Sequence, residues 1–232
     1  MCGYVHALNR QLTIKYWIIS LNKPKKRTKM STFDPYTHLN ISKNPDGSIT
    51  RFFQPPTVEA NPEPSPGTTV VSKDVTIDPQ KKTWVRIIRP TKLPSNDNTV
   101  ARLPIVMYFH NGGFVFLSPD YTDNHQKCSQ IADDIPSIVV SASYRHAPEH
   151  RLPTQYQDAY DAVLWVKDQL NDPNGEKWLK DYGDPSRCYL YGSDCGGNIA
   201  FNVSMQVFYE NPLSIIEFGK CFSFTFIEKI YF

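Results

Sequence analysis

The stretch that decides the fold is Gly192-Ser193-Asp194-Cys195-Gly196-Gly197-Asn198. A short apolar run, Cys188–Tyr191, precedes it, and the residues that follow have helical character. This order predicts a strand, a tight glycine turn and a helix, which is the context of a nucleophile elbow, G-x-S-x-G. Glycines two positions before and two after the central residue make room for a strained turn that lifts one side chain clear of the sheet.

An aspartate occupies the central position of this turn. Gly192 and Gly196 bracket Asp194. A turn centred on Ser193 would need a glycine at Cys195, and a turn centred on Cys195 would need one at Ser193. The sequence therefore predicts Asp194 at the nucleophile position, with the neighbouring serine one residue out of place.

Segments of strand and helix character alternate through the middle of the chain. The predicted strands are Ser72–Ile77, Thr83–Arg89, Leu103–Phe109 and Ser137–Ser143. The predicted helices are Tyr121–Asp133 and Tyr156–Leu170, where apolar residues recur at helical spacing. This alternation predicts an α/β fold, in which helices cover both faces of a mostly parallel sheet.

Length and charge limit the classes of protein and partner. With 232 residues, of which 40% are hydrophobic, the chain can bury the core of a single domain. The first 30 residues hold seven of the 25 basic residues and no acid, which leaves a net charge of −5 on the remainder. A mildly acidic body gives no reason to expect nucleic acid as a partner.

Cysteine usage and hydropathy bear on the compartment. The five cysteines are odd in number and form no C-x-x-C pair, so neither a disulfide framework nor a zinc site is indicated, and we expect no metal. No apolar stretch approaches ~18 residues, so we expect no membrane span. A reducing, cytoplasmic location fits best, and the basic cluster Lys23–Arg27 leaves a nuclear location open.

Two segments precede the regular structure. We interpret residues 1–30 as a basic extension outside the fold, with Met30 as the functional start. Residues 31–70 are rich in proline and short polar residues, with a turn at Asn44–Ser48. Such a loop-rich arm could fold over a pocket as a lid or simply pack on the surface.

Two further motifs follow predicted strands. His110-Asn111-Gly112-Gly113-Phe114 comes directly after the strand that ends at Phe109. Tyr144-Arg145-His146-Ala147-Pro148-Glu149-His150-Arg151-Leu152-Pro153 comes after the strand that ends at Ser143. The first is similar to the H-G-G-G-F segment whose backbone amides form an oxyanion hole in lipases and esterases.

Together, the three segments resemble the hormone-sensitive-lipase-like α/β-hydrolases, and above all plant carboxylesterases, relatives of the gibberellin receptor. Asn44–Ser48 and Val71–Asp74 also match the plant N-terminal region, so the resemblance covers roughly residues 31 to 206. It implies an α/β-hydrolase fold, hydrolysis of carboxylic esters without a cofactor, and a small-molecule ester or a hormone-like ligand as partner.

The resemblance also assigns roles to individual residues. Gly112, Gly113 and Cys195 are expected to present backbone amides to a developing oxyanion. We expect His110 to stabilise this loop by hydrogen bonding rather than to act as a base. Asn111 stands where the family has a glycine, and asparagine tolerates a left-handed backbone better than most residues.

Three charged residues receive expectations of their own. Arg145 and Glu149 are expected in a buried polar network that holds the loop after the fourth predicted strand. The Asp194 carboxylate is expected to lie against the oxyanion-hole amides and to plug the hole as a fixed anion.

Three departures from the family pattern bear on activity. Asp194 replaces the nucleophilic serine. All six histidines precede the turn, whereas the family order Ser…Asp…His places acid and base after the nucleophile. No aspartate follows Asp194, and the acids after it are Glu210, Glu217 and Glu228. We therefore expect the chain to lack catalytic competence.

The family resemblance ends at Gln206. The family sheet should continue with three more strands, so we expect a partial hydrolase domain at residues 71–206 and a non-family tail at residues 207–232. Phe222–Phe226 alternates with period two, as a strand with one apolar face would. We expect this tail either to pair beside Cys188–Tyr191 as a substitute strand or to remain loosely attached.

Three functional hypotheses stay open. In the first, the chain is an inactive or incomplete product of a carboxylesterase family. In the second, Asp194 is a true nucleophile, as in dehalogenases and epoxide hydrolases, although no suitable histidine is present to release the intermediate. In the third, the pocket binds a small molecule without chemistry, as gibberellin receptors do on this fold.

Overall fold

The computed structural model describes residues 34–93, 95–96, 99–100, 102–210, 217–218 and 225–230. The predicted basic extension, residues 1–30, lies outside the described residues. Contacts divide the chain into two compact units, Met1–Phe53 and Gln54–Phe232. The boundary between them falls inside the arm predicted for residues 31–70.

The first unit contains a short helix and a β-hairpin. The carboxylate of Asp34 accepts two backbone N–H groups and so caps α1 (Pro35–His38). β1 (Ile41–Lys43) and β2 (Ile49–Arg51) pair in antiparallel fashion. The turn predicted at Asn44–Ser48 connects them, and the prediction of a turn there is confirmed.

The second unit is built on a mixed sheet. The strands after the first unit are β3 (Val70–Asp78), β4 (Thr83–Pro90), β5 (Ser95–Asn96), β6 (Thr99–Val100), β7 (Leu103–Phe109), β8 (Ile138–Ala142), β9 (Gly183–Ser193), β10 (Glu217–Phe218) and β11 (Thr225–Ile230). β5 and β6 pair only with each other, and the other strands form one sheet in the order β10-β11-β9-β7-β8-β4-β3. The central strands β8, β7 and β9 are parallel, and the flanking pairs are antiparallel.

Helices cover both faces of this sheet. They are α2 (Thr122–Asp134), α3 (Thr154–Asn171), α4 (Lys177–Tyr182) and α5 (Cys195–Glu210). Adjacent residues of β7 point to opposite faces, so Met107 is buried with residues of α3, α4 and α5, whereas Tyr108 is buried with residues of α2. The predicted α/β fold is confirmed; α4 has no counterpart among the predicted helices.

The parallel strands determine where a site can form. The carboxyl ends of β7, β8 and β9 lie at the same edge of the sheet because the three strands run in the same direction. The loops after β7 and β8 and the turn after β9 therefore gather at that edge. In open α/β sheets, ligands bind outside the carboxyl ends of the strands.

The C-terminal strand covers the edge of β9. β11 pairs antiparallel with β9, and its register joins Ile230 to Cys188 and Thr225 to Ser193. Of the two alternatives predicted for the tail, the structure shows pairing beside Cys188–Tyr191, although Phe222–Phe224 lies outside the described residues. Ile230 is fully buried against the main core.

The part of the chain that the structure describes holds no helix long and apolar enough to cross a membrane.

Candidate active site

The turn after β9 has the geometry of an elbow centred on Asp194. β9 ends at Ser193 and α5 begins at Cys195, so Asp194 alone connects the strand to the helix. Its φ is +56°, in the left-handed region that costs a non-glycine residue about 1–2 kcal/mol. The side chain at this position is exposed. The structure therefore has Asp194 as the central residue of the turn, as the sequence predicts.

The two bracketing glycines allow the backbone to close. A Cβ added at Gly192 would lie 2.2 Å from the carbonyl oxygen of Gly196, across the turn itself. A Cβ added at Gly196 would lie 2.0 Å from the carbonyl oxygen of Phe109, the last residue of β7. The start of α5 thus packs directly on the chain where β7 leads into His110–Phe114, the segment that resembles an oxyanion loop. This contact brings the two motifs together.

The loop after β7 contains three consecutive residues with a left-handed backbone conformation. The φ angles of Gly112, Gly113 and Phe114 are +116°, +61° and +65°. The carbonyl of Gly112 accepts hydrogen bonds from the amides of Val115 and Phe116, at 3.1 and 3.0 Å. A side chain at Gly112 would collide with the Phe116 carbonyl, at 2.3 Å. The glycine at this position is therefore required by the turn.

The amides assigned to the oxyanion hole are available for a ligand. Within the described residues, no hydrogen bond has the amide of Gly112 or Gly113 as its donor. The space beside Gly113 is open, since no atom lies within 4 Å of an added Cβ. Cys195 is the first residue of α5, and the first amides of a helix have no partner within the helix. Two loop amides and one helix amide are thus without an acceptor in the described part of the chain.

His110 is a buried hydrogen-bonding residue of this loop. Its Nδ1 lies 2.7 Å from the carbonyl oxygen of Asn111, and its ring stacks on Tyr144 at 4.2 Å. The Tyr144 hydroxyl donates to the carbonyl oxygen of His110 at 2.9 Å. Burial lowers the pKa of His110 to about 3, so the imidazole is neutral at physiological pH. These contacts agree with the scaffold role expected of His110.

The Asp194 carboxylate does not occupy the oxyanion hole. It forms no hydrogen bond with the amides of Gly112, Gly113 or Cys195 in the described part of the chain, and the residue faces solvent. The prediction that this carboxylate plugs the hole is wrong. The left-handed backbone at the apex of the turn projects the side chain outward, where water solvates the charge.

The loop after β8 is fixed by an ion pair with α3. The guanidinium of Arg145 binds Asp158 through two nitrogens, at 2.9 and 2.6 Å, and the Arg145 amide donates to the same carboxylate at 2.9 Å. Asp158 is fully buried and raises the pKa of Arg145 through its hydrogen bonds. The predicted network is thus present at Arg145, but Glu149 is exposed and the acidic partner is Asp158.

Sequence reasoning missed the side chain of Tyr156 beside the elbow. The hydroxyl of Tyr156, on α3, donates to Oδ1 of Asn198, on the first turn of α5, at 2.7 Å. The Tyr156 ring also meets the edge of Phe114, with ring centroids 6.3 Å apart. These contacts join the oxyanion loop to the helix after the elbow. Tyr156 lies inside a predicted helix, and no local pattern distinguishes it from a core residue.

No histidine hydrogen-bonds to Asp194 within the described residues. The Nδ1 of His125 lies 3.4 Å from Arg86, and its Nε2 lies 3.4 Å from Ser129. The described residues thus place a carboxylate at the apex of an elbow, and none of their histidines hydrogen-bonds to it. The described residues also contain no group of three or more His, Cys, Asp or Glu side chains that could hold a metal ion.

Comparisons with known proteins agree with this geometry. Residues 106–217 match the model of an alpha/beta hydrolase fold family. The chain is 54% identical over 196 residues to Probable carboxylesterase 9 of Arabidopsis thaliana, a match covering 84% of this chain and 60% of that protein. It is 43% identical over 181 residues to 3-O-acetylpapaveroxine carboxylesterase of Papaver somniferum, a match covering 75% of this chain and 52% of that protein.

A solved structure gives the same fold. Carboxyl esterase 2 from the fungus Tuber melanosporum superposes with a TM-score of 0.51 at 21% identity, covering 64% of this chain and 43% of that one. The fold and the sequence match therefore place this chain in the α/β-hydrolase class. Within that class it is similar to plant carboxylesterases, and it spans about half to three fifths of the length of these curated relatives.

Proposed function

We propose that this chain holds the oxyanion-binding part of a carboxylesterase active site and does not hydrolyse esters on its own. The observation that carries this proposal is the position of Asp194 at the apex of the elbow, with φ +56° and an exposed side chain. In an ester hydrolase, this position supplies the hydroxyl that forms the acyl-enzyme. A carboxylate there cannot form that ester with the acyl group.

The ligand class is a small carboxylic ester. The amides of Gly112, Gly113 and Cys195 receive its carbonyl oxygen, and the partly buried rings of Phe114 and Tyr156 border the same loop. The name of the poppy relative, which refers to an acetyl ester, supports this class. Preorganised amides stabilise charge that develops on the oxygen in the transition state. Without a nucleophile and a base, these donors produce only weak catalysis.

The hydrogen-bond partners of the described histidines support the same proposal. The deacylation step needs a base within hydrogen-bond reach of the water that attacks the acyl carbon. Within the described residues, His110 is buried in the loop scaffold with a pKa of about 3 and has Asn111 and Tyr144 as its partners. The proton on its Nδ1 hydrogen-bonds to the carbonyl oxygen of Asn111 and so stabilises the loop.

The test is hydrolysis of p-nitrophenyl acetate by the purified chain and by Asp194→Asn. We expect both to release p-nitrophenol at the rate of buffer containing an equal mass of an unrelated protein. Steady turnover by the parent chain that disappears in Asp194→Asn would contradict the proposal, because Asp194 would then be a working nucleophile.

A second candidate function is favoured by the exposure of Asp194. An exposed carboxylate at an elbow can attack an alkyl carbon: its oxygen forms an ester bond, and the carbon–halogen bond breaks with release of halide. Mass spectrometry after incubation with 1-chlorobutane would detect a stable butyl ester on Asp194. An unmodified Asp194 after prolonged incubation would exclude this candidate.

A further inference from the structure

An apolar groove lies on the face of the sheet that α2 covers. Its volume is about 480 Å³, within the range of pockets that hold small molecules. It is lined by Pro104, Val106, Ile131, Ile135, Tyr189 and Tyr191, together with Ser137 and Arg187. Ile135 is 64% exposed, so the groove is open to solvent along α2.

Three elements run side by side along this groove. Alternate residues of β7 and β9 face it, and residues four apart on α2 face it from above. The alternation on the strands continues to Tyr108 on β7 and Ser193 on β9, and the four-residue spacing on α2 continues to Lys127. These three residues lie beyond the apolar lining. One end of the groove is therefore polar, and the rest of the groove is apolar.

The polar end carries a cation without an acidic partner. The Lys127 ammonium lies 3.4 Å from the Ser193 hydroxyl and above the rings of Tyr108 and Tyr191, at 5.7 and 5.3 Å from their centroids. Among the described residues, Lys127 forms no ion pair with a carboxylate. Tyr108 is buried, and burial raises the pKa of its hydroxyl, so that hydroxyl remains neutral.

The opposite end offers no comparable cation. The guanidinium of Arg187 donates to the carboxylate of Asp184 at 2.7 Å and to the carbonyl oxygen of Arg102 at 2.5 Å. An anion in the groove would therefore bind at the Lys127 end. The helical rise from Lys127 to Asp134, the residue before Ile135, is about 10 Å, so the groove is about 11 Å long, the extent of a saturated chain of about ten carbons.

We propose that this groove binds a small amphipathic carboxylate, with its hydrocarbon tail along Val106, Ile131 and Tyr189 and its carboxylate at Lys127 and Ser193. Burial of the tail supplies most of the affinity. The charge-assisted hydrogen bonds from the ammonium and the hydroxyl fix its direction. The site is on the α2 face of the sheet, and its polar end at Ser193 adjoins Asp194 in the chain.

The test is calorimetric titration of the purified chain with decanoate and with decan-1-ol as the uncharged analogue. We expect saturable binding of one decanoate per chain, with Lys127→Met weakening it at least about tenfold and Ser193→Ala weakening it less. Decan-1-ol should bind at least about tenfold more weakly than decanoate. Lys167→Met, which removes the same charge from α3 on the other face, should leave decanoate affinity unchanged.

Three outcomes would overturn the proposal. Decanoate affinity that is unchanged in both Lys127→Met and Ser193→Ala, in variants with the parent melting temperature, would place the ligand elsewhere. Equal binding of decanoate and decan-1-ol would show that the ammonium does not select the ligand. A chain that sediments as a dimer, becomes a monomer in Ile131→Glu and takes up no decanoate would show that the groove is an interface between copies.

Discussion

At the residue scale, the site depends on close backbone contacts at a few positions. Gly196 lets α5 approach the carbonyl of Phe109, and this contact brings the elbow beside the oxyanion loop. Asp194 adopts a left-handed backbone that the surrounding strand and helix impose on it. Strain of this kind persists only where the rest of the structure holds it in place. The elbow is thus preserved as a structure although its central residue is not a serine.

Gly196→Ala should destabilise the chain by about 3 kcal/mol, because the added methyl group would lie 2.0 Å from backbone oxygen that cannot move aside. Urea unfolding followed by circular dichroism measures this difference. Asn202→Ala, on the same helix, should change stability by less than about 0.5 kcal/mol. A Gly196→Ala variant as stable as the parent would mean that α5 does not pack on β7 in this way.

Burial of His110 makes stability depend on pH. The pKa of His110 is about 3 in the folded chain, against about 6.5 in an unfolded chain, so below pH 6.5 the unfolded state binds the proton and the folded state does not. This contribution is fully present above pH 6.5 and is lost as the pH falls toward 3. Between pH 6.5 and pH 5, it removes about 2 kcal/mol from the free energy of unfolding.

The measurement is urea unfolding at pH 7, 6 and 5 for the parent, His110→Gln and His150→Gln. His110→Gln should lose less stability over this range than the parent, whereas His150→Gln, at an exposed position, should follow the parent. Equal pH slopes in the parent and His110→Gln would show that the imidazole can take up a proton while the chain remains folded.

At the scale of elements, the parallel core and the tail strand have different origins. β8, β7 and β9 were predictable because continuous apolar runs are typical of strands buried on both faces. β11 joins the edge of β9 in the antiparallel direction and covers backbone groups that would otherwise be open to pairing. An open strand edge is a template for association between chains.

Removal of residues 211–232 should therefore promote self-association. We expect the shortened chain to elute as large aggregates in gel filtration and to melt at a lower temperature than the parent, because the edge of β9 and the pocket of the buried Ile230 are uncovered. An otherwise identical shortened chain that elutes as a monomer with the parent melting temperature would show that β11 adds nothing to the sheet.

At the scale of the whole molecule, the sequence was most informative where local patterns carry the structure. Gly192, Gly196 and the Gly112–Gly113 pair mark turns whose geometry follows from the backbone alone, so both motifs and their proximity could be anticipated. The choice of Asp158 as partner of Arg145 depends on packing between distant segments. No spacing within one segment encodes such contacts. The same holds for the groove beside Lys127.

The most direct test of the account is p-nitrophenyl acetate hydrolysis by Asp194→Ser in this chain. The substitution places a hydroxyl at the apex of the elbow, whose helix packs against the chain at Phe109. Because no histidine hydrogen-bonds to that position within the described residues, we predict no increase in rate over the parent chain. An increase of about a hundredfold or more, lost again when His146 or His150 is replaced, would contradict the account, since a base would then reach the elbow.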